Sequence, residues 1–220
     1  QLTGFLMNVI VCVKQVPDSA ETLSINDASP GIIYHDTCVF RMNRYDEFAL
    51  EEALRIRERL PASTIDALSV GPDRVRKTIH KALEMGADHG VHIKKGSGDY
   101  LTPAARAALI AKYARSKAYD LILTGVMAED DMECQVGQIL AELLGMPSAT
   151  SVMHQEINRD EAAVSVEREI EGGAREGLTI TLPALLSVQS GINTPRYPSL
   201  SNVLRAKSQE LETIEPHHTG

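Results

Sequence analysis

Four carboxylates lie close together at Glu129, Asp130, Asp131 and Glu133. An apolar run, Leu121-Ile122-Leu123, precedes them, and an apolar helical stretch, Gln138 to Leu144, follows. Thr124-Gly125 reads as a small-residue turn after the run, and Gln135-Val136-Gly137 as a second turn before the helix. Strand, loop and helix N-terminus in that order can hold an anion, because the first helical N–H groups are unpaired and the helix dipole points at them. Carboxylates in such a loop would repel a bare phosphate. They are therefore expected to point away from it, to bind ribose hydroxyls, or to cap the helix.

Little else in the chain has the residue types for chemistry. Cys12, Cys38 and Cys134 are far apart and odd in number, with no paired or Cys/His ligand spacing. They read as reduced thiols. His217-His218 near the end could catch a stray metal and carries no further signal. No residue is placed to act as an acid, base or nucleophile. The net charge of -8 argues against nonspecific nucleic-acid binding, and no apolar run is long enough to span a membrane. Aromatic residues are only 4% and Trp is absent, so the core must be aliphatic. The opening QLTGFL is too short for a signal peptide, and Met7 is the expected start of the natural chain.

The elements that must position the loop follow from pattern. Asn8 to Val13, Thr64 to Val70, His89 to Ile93 and Leu121 to Leu123 are short apolar runs expected to be buried strands. Helices are expected from Phe48 to Ile56 with Asp46 as N-cap, from Arg74 to Met85 ended by Gly86, and from Thr102 to Ser116 with Pro103 at the first helical position. Leu23 to Val39, with Asp27, Pro30 and Gly31, reads as a hairpin-like excursion. Alternating strands and helices imply an α/β fold, a parallel twisted sheet covered by helices on both faces. After Pro147 the texture changes. Ser151–Ile157, Ala163–Ile170 and Leu178–Leu182 alternate in polarity, with a turn at Gly172-Gly173, and Ala184 to Val188 is a further apolar strand. Gly191 to Asn202 reads as an extended exposed loop, and Val203 to Glu212 as a short helix. This divides the chain into an α/β nucleotide-binding domain, 7–190, and a C-terminal loop and arm, 191–220.

Several pieces occur together in order: Val9-Ile10-Val11-Cys12-Val13-Lys14, Asn43-Arg44-Tyr45-Asp46-Glu47, Ser69-Val70-Gly71-Pro72, Ala128-Glu129-Asp130-Asp131 with Gln135-Val136-Gly137, and Asn193-Thr194-Pro195-Arg196-Tyr197. Their joint order resembles the β subunit of electron transfer flavoprotein, from about Met7 to Ile214. The resemblance implies an adenine-nucleotide α-hydrolase-like sheet and a heterodimer with an α subunit that shares the redox FAD. It also implies an AMP buried in β without redox role, or a second FAD in its place in electron-bifurcating members. It implies an acyl-CoA dehydrogenase-type donor and a quinone oxidoreductase acceptor. Separately, the expected start at Met7 favours a bacterial cytoplasm over a mitochondrial matrix. Carried over residue by residue, Cys12 and Val70 line the adenine, Asn43 reads its edge, and the backbone of Glu133, Cys134, Gln135, Val136 and Gly137 holds the phosphate. Thr124, Gly125 and Asp130 complete the nucleotide site. Tyr45 is the expected contact from β to the shared FAD. Pro195, Arg196, Tyr197 and Leu200 form the expected partner-binding loop, with Leu200 as apolar anchor.

Arg44 departs from the proline common in this family and adds a cation that could reach a phosphate. Met132 stands where an Asp is usual. The absence of the Gly and Thr found in the bifurcating loop favours AMP, since Gly there lets backbone approach a pyrophosphate. An adenylating ATP pyrophosphatase would need a Ser-Gly-Gly grip where Lys14-Gln15-Val16-Pro17 stands. A stand-alone nucleotide sensor would lack the extension after Pro183.

Overall fold

The computed structural model describes residues 6–22, 24–25, 32–96 and 100–215. Leu23, Asp27, Pro30, Gly31, His217 and His218 lie outside the described residues. The chain begins with β1 (Asn8–Cys12), β2 (Gln15–Pro17), β3 (Ser24–Ile25), β4 (Ile32–Ile33) and β5 (Phe40–Met42). There follow α1 (Arg44–Arg59), β6 (Thr64–Gly71), α2 (Arg76–Met85), β7 (His89–Lys94), α3 (Pro103–Ala114), β8 (Leu121–Gly125) and α4 (Val136–Leu144). The rest is β9 (Ser148–Asn158), β10 (Ala163–Glu169), β11 (Arg175–Thr181), β12 (Ala184–Val188), α5 (Leu200–Lys207) and β13 (Glu212–Ile214).

Nine of these strands form one sheet in the order β11-β10-β9-β12-β8-β1-β6-β7-β13. From β9 to β13 every pairing is parallel, and only β9–β10 and β10–β11 are antiparallel. Alternation along β1 shows why both faces need cover. Val9 and Val11 enter one core with α1, α2 and α5, while Ile10 and Cys12 enter the other with α3 and α4. The α/β class with helices on both faces is thus built as the sequence pattern dictates. β2 and β5 pair antiparallel beside the sheet, as do β3 and β4 within the excursion.

Two caps foreseen in sequence behave differently. Thr102 caps α3, its hydroxyl accepting from the Ala105 amide at 3.2 Å with Pro103 following. Asp46 is not an N-cap: α1 starts two residues earlier, after Asn43, and Asp46 is buried in its first turn. It is held there because its two carboxylate oxygens accept from the backbone amides of Lys14 (2.7 Å) and Gly125 (3.0 Å), tying α1 to β1 and β8. The expected loop to Asn202 is also corrected. Ser199 caps α5 by accepting from the Asn202 amide, so Leu200 opens a helix rather than tipping a loop. The three-residue β13 beside β7 has no signature in sequence and closes the sheet's edge.

Candidate functional site

β1 is the point where the chain's winding reverses. α1 carries it from β1 to β6 on one side, and α3 carries it from β7 back across to β8 on the other. Open α/β sheets bind ligands in the crevice beyond the carboxyl ends of such strands. A cleft with about 670 Å³ of empty space opens there, its inner end at Cys12, Leu68, Val70 and Thr124. α3 contributes Pro103, Arg106 and Ile110, and the loop between β8 and α4 folds over the remaining side.

The wall nearest the strands is apolar. Cys12 belongs to it: burial, aided by the charge of Asp46, pushes its thiol up to about 12, so it stays protonated. Burial likewise pushes Asp46 up to about 7, against the pull of its two amide hydrogen bonds and the Lys14 charge. The opposite end of the cleft is polar. α4 starts there without a side-chain cap, so the amides of its first turn are open to a ligand. Gly137 is what lets this end sit on the sheet. A Cβ there would come within 3.0 Å of Thr124 Oγ1 and closer still to Ser187 Oγ, whose two hydroxyls bond each other at 3.0 Å.

The acidic loop does not present a wall of bare charge. Lys14 Nζ reaches Asp130 at 2.6 Å and Asp131 at 2.7 Å, and Arg41 reaches Glu129 at 2.9 Å. Asn43 pins the same loop, its amide nitrogen donating to the Met127 carbonyl and its oxygen accepting from the Glu129 amide. Met132 and Cys134 take left-handed backbone at φ 53° and 54°, a conformation unfavourable to side-chain-bearing residues that tends to mark functional loops. The loop thereby makes tight turns of the kind Gly would supply. Gly125 is a second place where close approach matters, since a Cβ there would lie 2.6 Å from the Cβ of Tyr45 at the start of α1.

Cys12, Asn43, Val70, Thr124, Gly125, Glu133, Cys134, Gln135, Val136 and Gly137 all line this cleft. Three other nucleotide-site or flavin candidates do not. Asp130 is held by Lys14 at 2.6 Å. Arg44 is mostly exposed, lies over the Phe48 ring at 5.4 Å and pairs with Glu47 at 3.5 Å. Tyr45 is half-buried beside Gly125. The cation the sequence reading missed is Arg106, on α3 at the cleft. A single Arg inside an Ala-rich helix was the available signal. Among the described residues no His, Cys and carboxylate cluster could hold a metal ion, and no helix is long and apolar enough to cross a membrane.

Of the partner-loop candidates, Tyr197 is 95% and Leu200 76% exposed, and Pro195 is half-buried. Arg196 faces the other way. Its guanidinium donates to Glu51 at 2.8 Å through both Nε and Nη2 and to Glu58 at 2.7 Å, fastening the segment to α1.

Comparison with known proteins identifies the family. The Electron transfer flavoprotein domain family matches residues 32–219. The chain is 36% identical over 216 residues to human "Electron transfer flavoprotein subunit beta", covering 97% of this chain and 83% of that protein. It is 37% identical over 210 residues to the Bacillus subtilis protein of the same name, covering 95% and 79%. It is 36% identical over 208 residues to the mitochondrial one of Arabidopsis thaliana, covering 94% and 81%. The chain belongs to the electron transfer flavoprotein family, on the β-subunit side, and is an electron carrier.

Proposed function

We propose that this chain pairs with an electron transfer flavoprotein α subunit and holds AMP in the cleft between β1, β6, β8 and the start of α4. The observation that carries this is the cleft's polarity. An apolar slot of Cys12, Leu68 and Val70 suits adenine, and the uncapped α4 N-terminus with Arg106 nearby suits a phosphate. The nucleotide is structural, stabilising the folded chain by mass action. An FAD shared with α supplies the electron chemistry, and the protein binds and orients it. Tyr45 and Arg44, outside the cleft on the first turn of α1, are this chain's proposed contacts toward that flavin. Electrons pass from an acyl-CoA dehydrogenase-type donor to a quinone oxidoreductase, in a bacterial cytoplasm, with the arm of residues 191–220 carrying partner recognition.

The second reading, an electron-bifurcating subunit with another FAD in the cleft, draws support from the left-handed turns at Met132 and Cys134, which do without the expected Gly. Acid release and chromatography of nucleotides from the complex co-purified with α decides between them. One FAD and one AMP per heterodimer is expected. Two FAD and no AMP would replace the AMP assignment with the bifurcating one.

A further inference from the structure

Two neighbouring carboxylates on α1, Glu51 and Glu52, have side chains only 6% and 4% exposed, and neither lines the cleft. Both hold the same segment of the C-terminal arm. Glu51 accepts from the Arg196 backbone amide at 3.1 Å and from its guanidinium at 2.8 Å through both Nε and Nη2. Glu52 accepts from the Asn193 side-chain amide at 2.9 Å and, on its other oxygen, from Gln155 of β9 at 2.7 Å. The Asn193 amide also donates to the Phe48 carbonyl at 3.0 Å. Further along the arm, α5 is fastened to a second helix. Arg205 Nη2 donates to the carbonyls of Leu83 in α2 (3.0 Å) and of Ala87 just after it (2.9 Å). Tyr197 and Leu200 stand between these two anchorages, 95% and 76% exposed. Taking two carboxylates out of water is costly, and well-packed apolar residues would serve stability as well. What a bidentate charged fork adds is a fixed direction.

We propose that Glu51 and Glu52 are positioning residues for donor docking: through Arg196 and Asn193 they hold Tyr197 and Leu200 in the geometry that an acyl-CoA dehydrogenase-type donor recognises. The inference rests on the reading of the arm as the donor-docking segment. Burial separates this role from direct contact. Side chains so fully covered cannot touch a donor, so any effect they have on docking passes through the residues they hold. The path is short. Tyr197 follows Arg196 directly, and Leu200 is four residues on. Pro195 and Pro198 fix φ on either side of the Arg196-Tyr197 pair, which leaves the segment little freedom to absorb a shift at its base. With the fork loosened, the same apolar side chains remain exposed, but docking must order them first, and that ordering weakens binding.

The test is a double-mutant cycle on the complex with α, read by stopped-flow reduction of its flavin at rising concentrations of an acyl-CoA dehydrogenase kept reduced by its acyl-CoA. Glu51→Gln keeps the size of the side chain but leaves one oxygen to accept where the carboxylate has two. It is expected to need about tenfold more donor to reach half the limiting rate, the fold-change that goes with re-ordering about one residue on docking. The limiting rate and the FAD content are expected to match wild type. In a Leu200→Ala background the same change is expected to add less than about threefold, because the side chain it positions is gone. Asn193→Ala, which removes the arm's partner of Glu52, serves as a second variant with the same two expectations should Glu51→Gln fail to assemble. A wild-type donor dependence, a fall in limiting rate, or the whole loss persisting in the Leu200→Ala background would overturn the positioning role. An unchanged donor dependence in Leu200→Ala alone would instead overturn the reading of the arm as the docking segment, and the positioning role with it.

Discussion

At the cleft, Lys14 and the acidic loop satisfy each other while apolar walls and unpaired backbone amides are left facing a space. Lys14 holds Asp130 and Asp131, and Cys12, Leu68 and Val70 bound the slot. On the C-terminal arm the arrangement is inverted. Arg196 is fastened inward to Glu51 and Glu58, and Asn193 reaches Phe48 and Glu52, while Tyr197, Leu200 and Leu204 face solvent. One region is a concavity with its polar groups aimed inward, fit for a small anionic ligand. The other is a rigidly pinned ridge of apolar side chains, fit for a protein surface. Changes in the first should show in the isolated fold and its nucleotide, and changes at the tip of the second only when a partner arrives.

The largest expected effect is at Asp46, beneath the cleft. Its carboxyl in the folded chain titrates at about 7, against an ordinary 3.8. Between these values the unfolded chain has released a proton that the folded chain retains. The stability that Asp46 contributes is therefore full below about pH 4, declines as pH rises to 7, and is flat above. The rise corresponds to roughly 4 kcal/mol. In urea melts, the stability gap between wild type and Asp46→Asn should narrow by up to about that amount from pH 4 to pH 7.5. A gap constant across this range would show that the amide bonds from Lys14 and Gly125 outweigh burial.

That residue also shows how far the sequence could be read. Its acidity and place before an apolar run suggested a helix cap, a local signal. Its true partners, the amides of Lys14 and Gly125, come from segments 32 and 79 residues away. Lys14 and the acidic loop are more than a hundred residues apart, so their pairing had no local trace either. Strands such as Ala184–Val188 were legible because burial on both faces demands a nearly continuous apolar run, broken here only by Ser187. The α4 N-terminus was legible because the turn glycine and the apolar stretch mark it. Arg196 was legible as part of the arm but not in its direction, since the carboxylates that turn it inward lie on α1. Ser199 after Pro198 is an ordinary cap signal that places the start of α5 at Leu200.

The next effect in size belongs to the arm's base. Glu51 has a side chain only 6% exposed, and Arg196 is its bidentate partner. Arg196→Ala leaves that carboxylate buried with only the backbone amide of residue 196 donating to it, which should cost about 2–3 kcal/mol, since Arg196 itself is partly in water. Arg196→Lys should recover part of this, because a point charge replaces one arm of the fork. Urea unfolding checks both. If the two regions are separate in function, the nucleotide count of either variant in the complex stays that of wild type. Loss of nucleotide from Arg196→Ala would show that the arm and the cleft are coupled through α1.

The smallest effect on the fold, and the one that tests the ridge, is at Leu200. It is the first residue of α5, 76% exposed, with Leu204 one turn on and 58% exposed. Alanine is the best helix former, and the Ser199 cap does not involve the Leu200 side chain, so Leu200→Ala should change stability by no more than about 0.5 kcal/mol. FAD content should also be unaffected. An apolar anchor that fills a partner's pocket, however, is worth about 2 kcal/mol or more, which is roughly a thirtyfold weakening of docking. Stopped-flow reduction by an acyl-CoA dehydrogenase-type donor, followed at rising donor concentration, should therefore need far more donor to reach the same rate. Equal concentration dependence in the two proteins would remove Leu200 as the anchor and leave Tyr197, 95% exposed on the same segment, as the side chain to change next. A shift in dependence with an unchanged limiting rate would place the effect in docking rather than in electron transfer itself, as a pinned and exposed ridge requires.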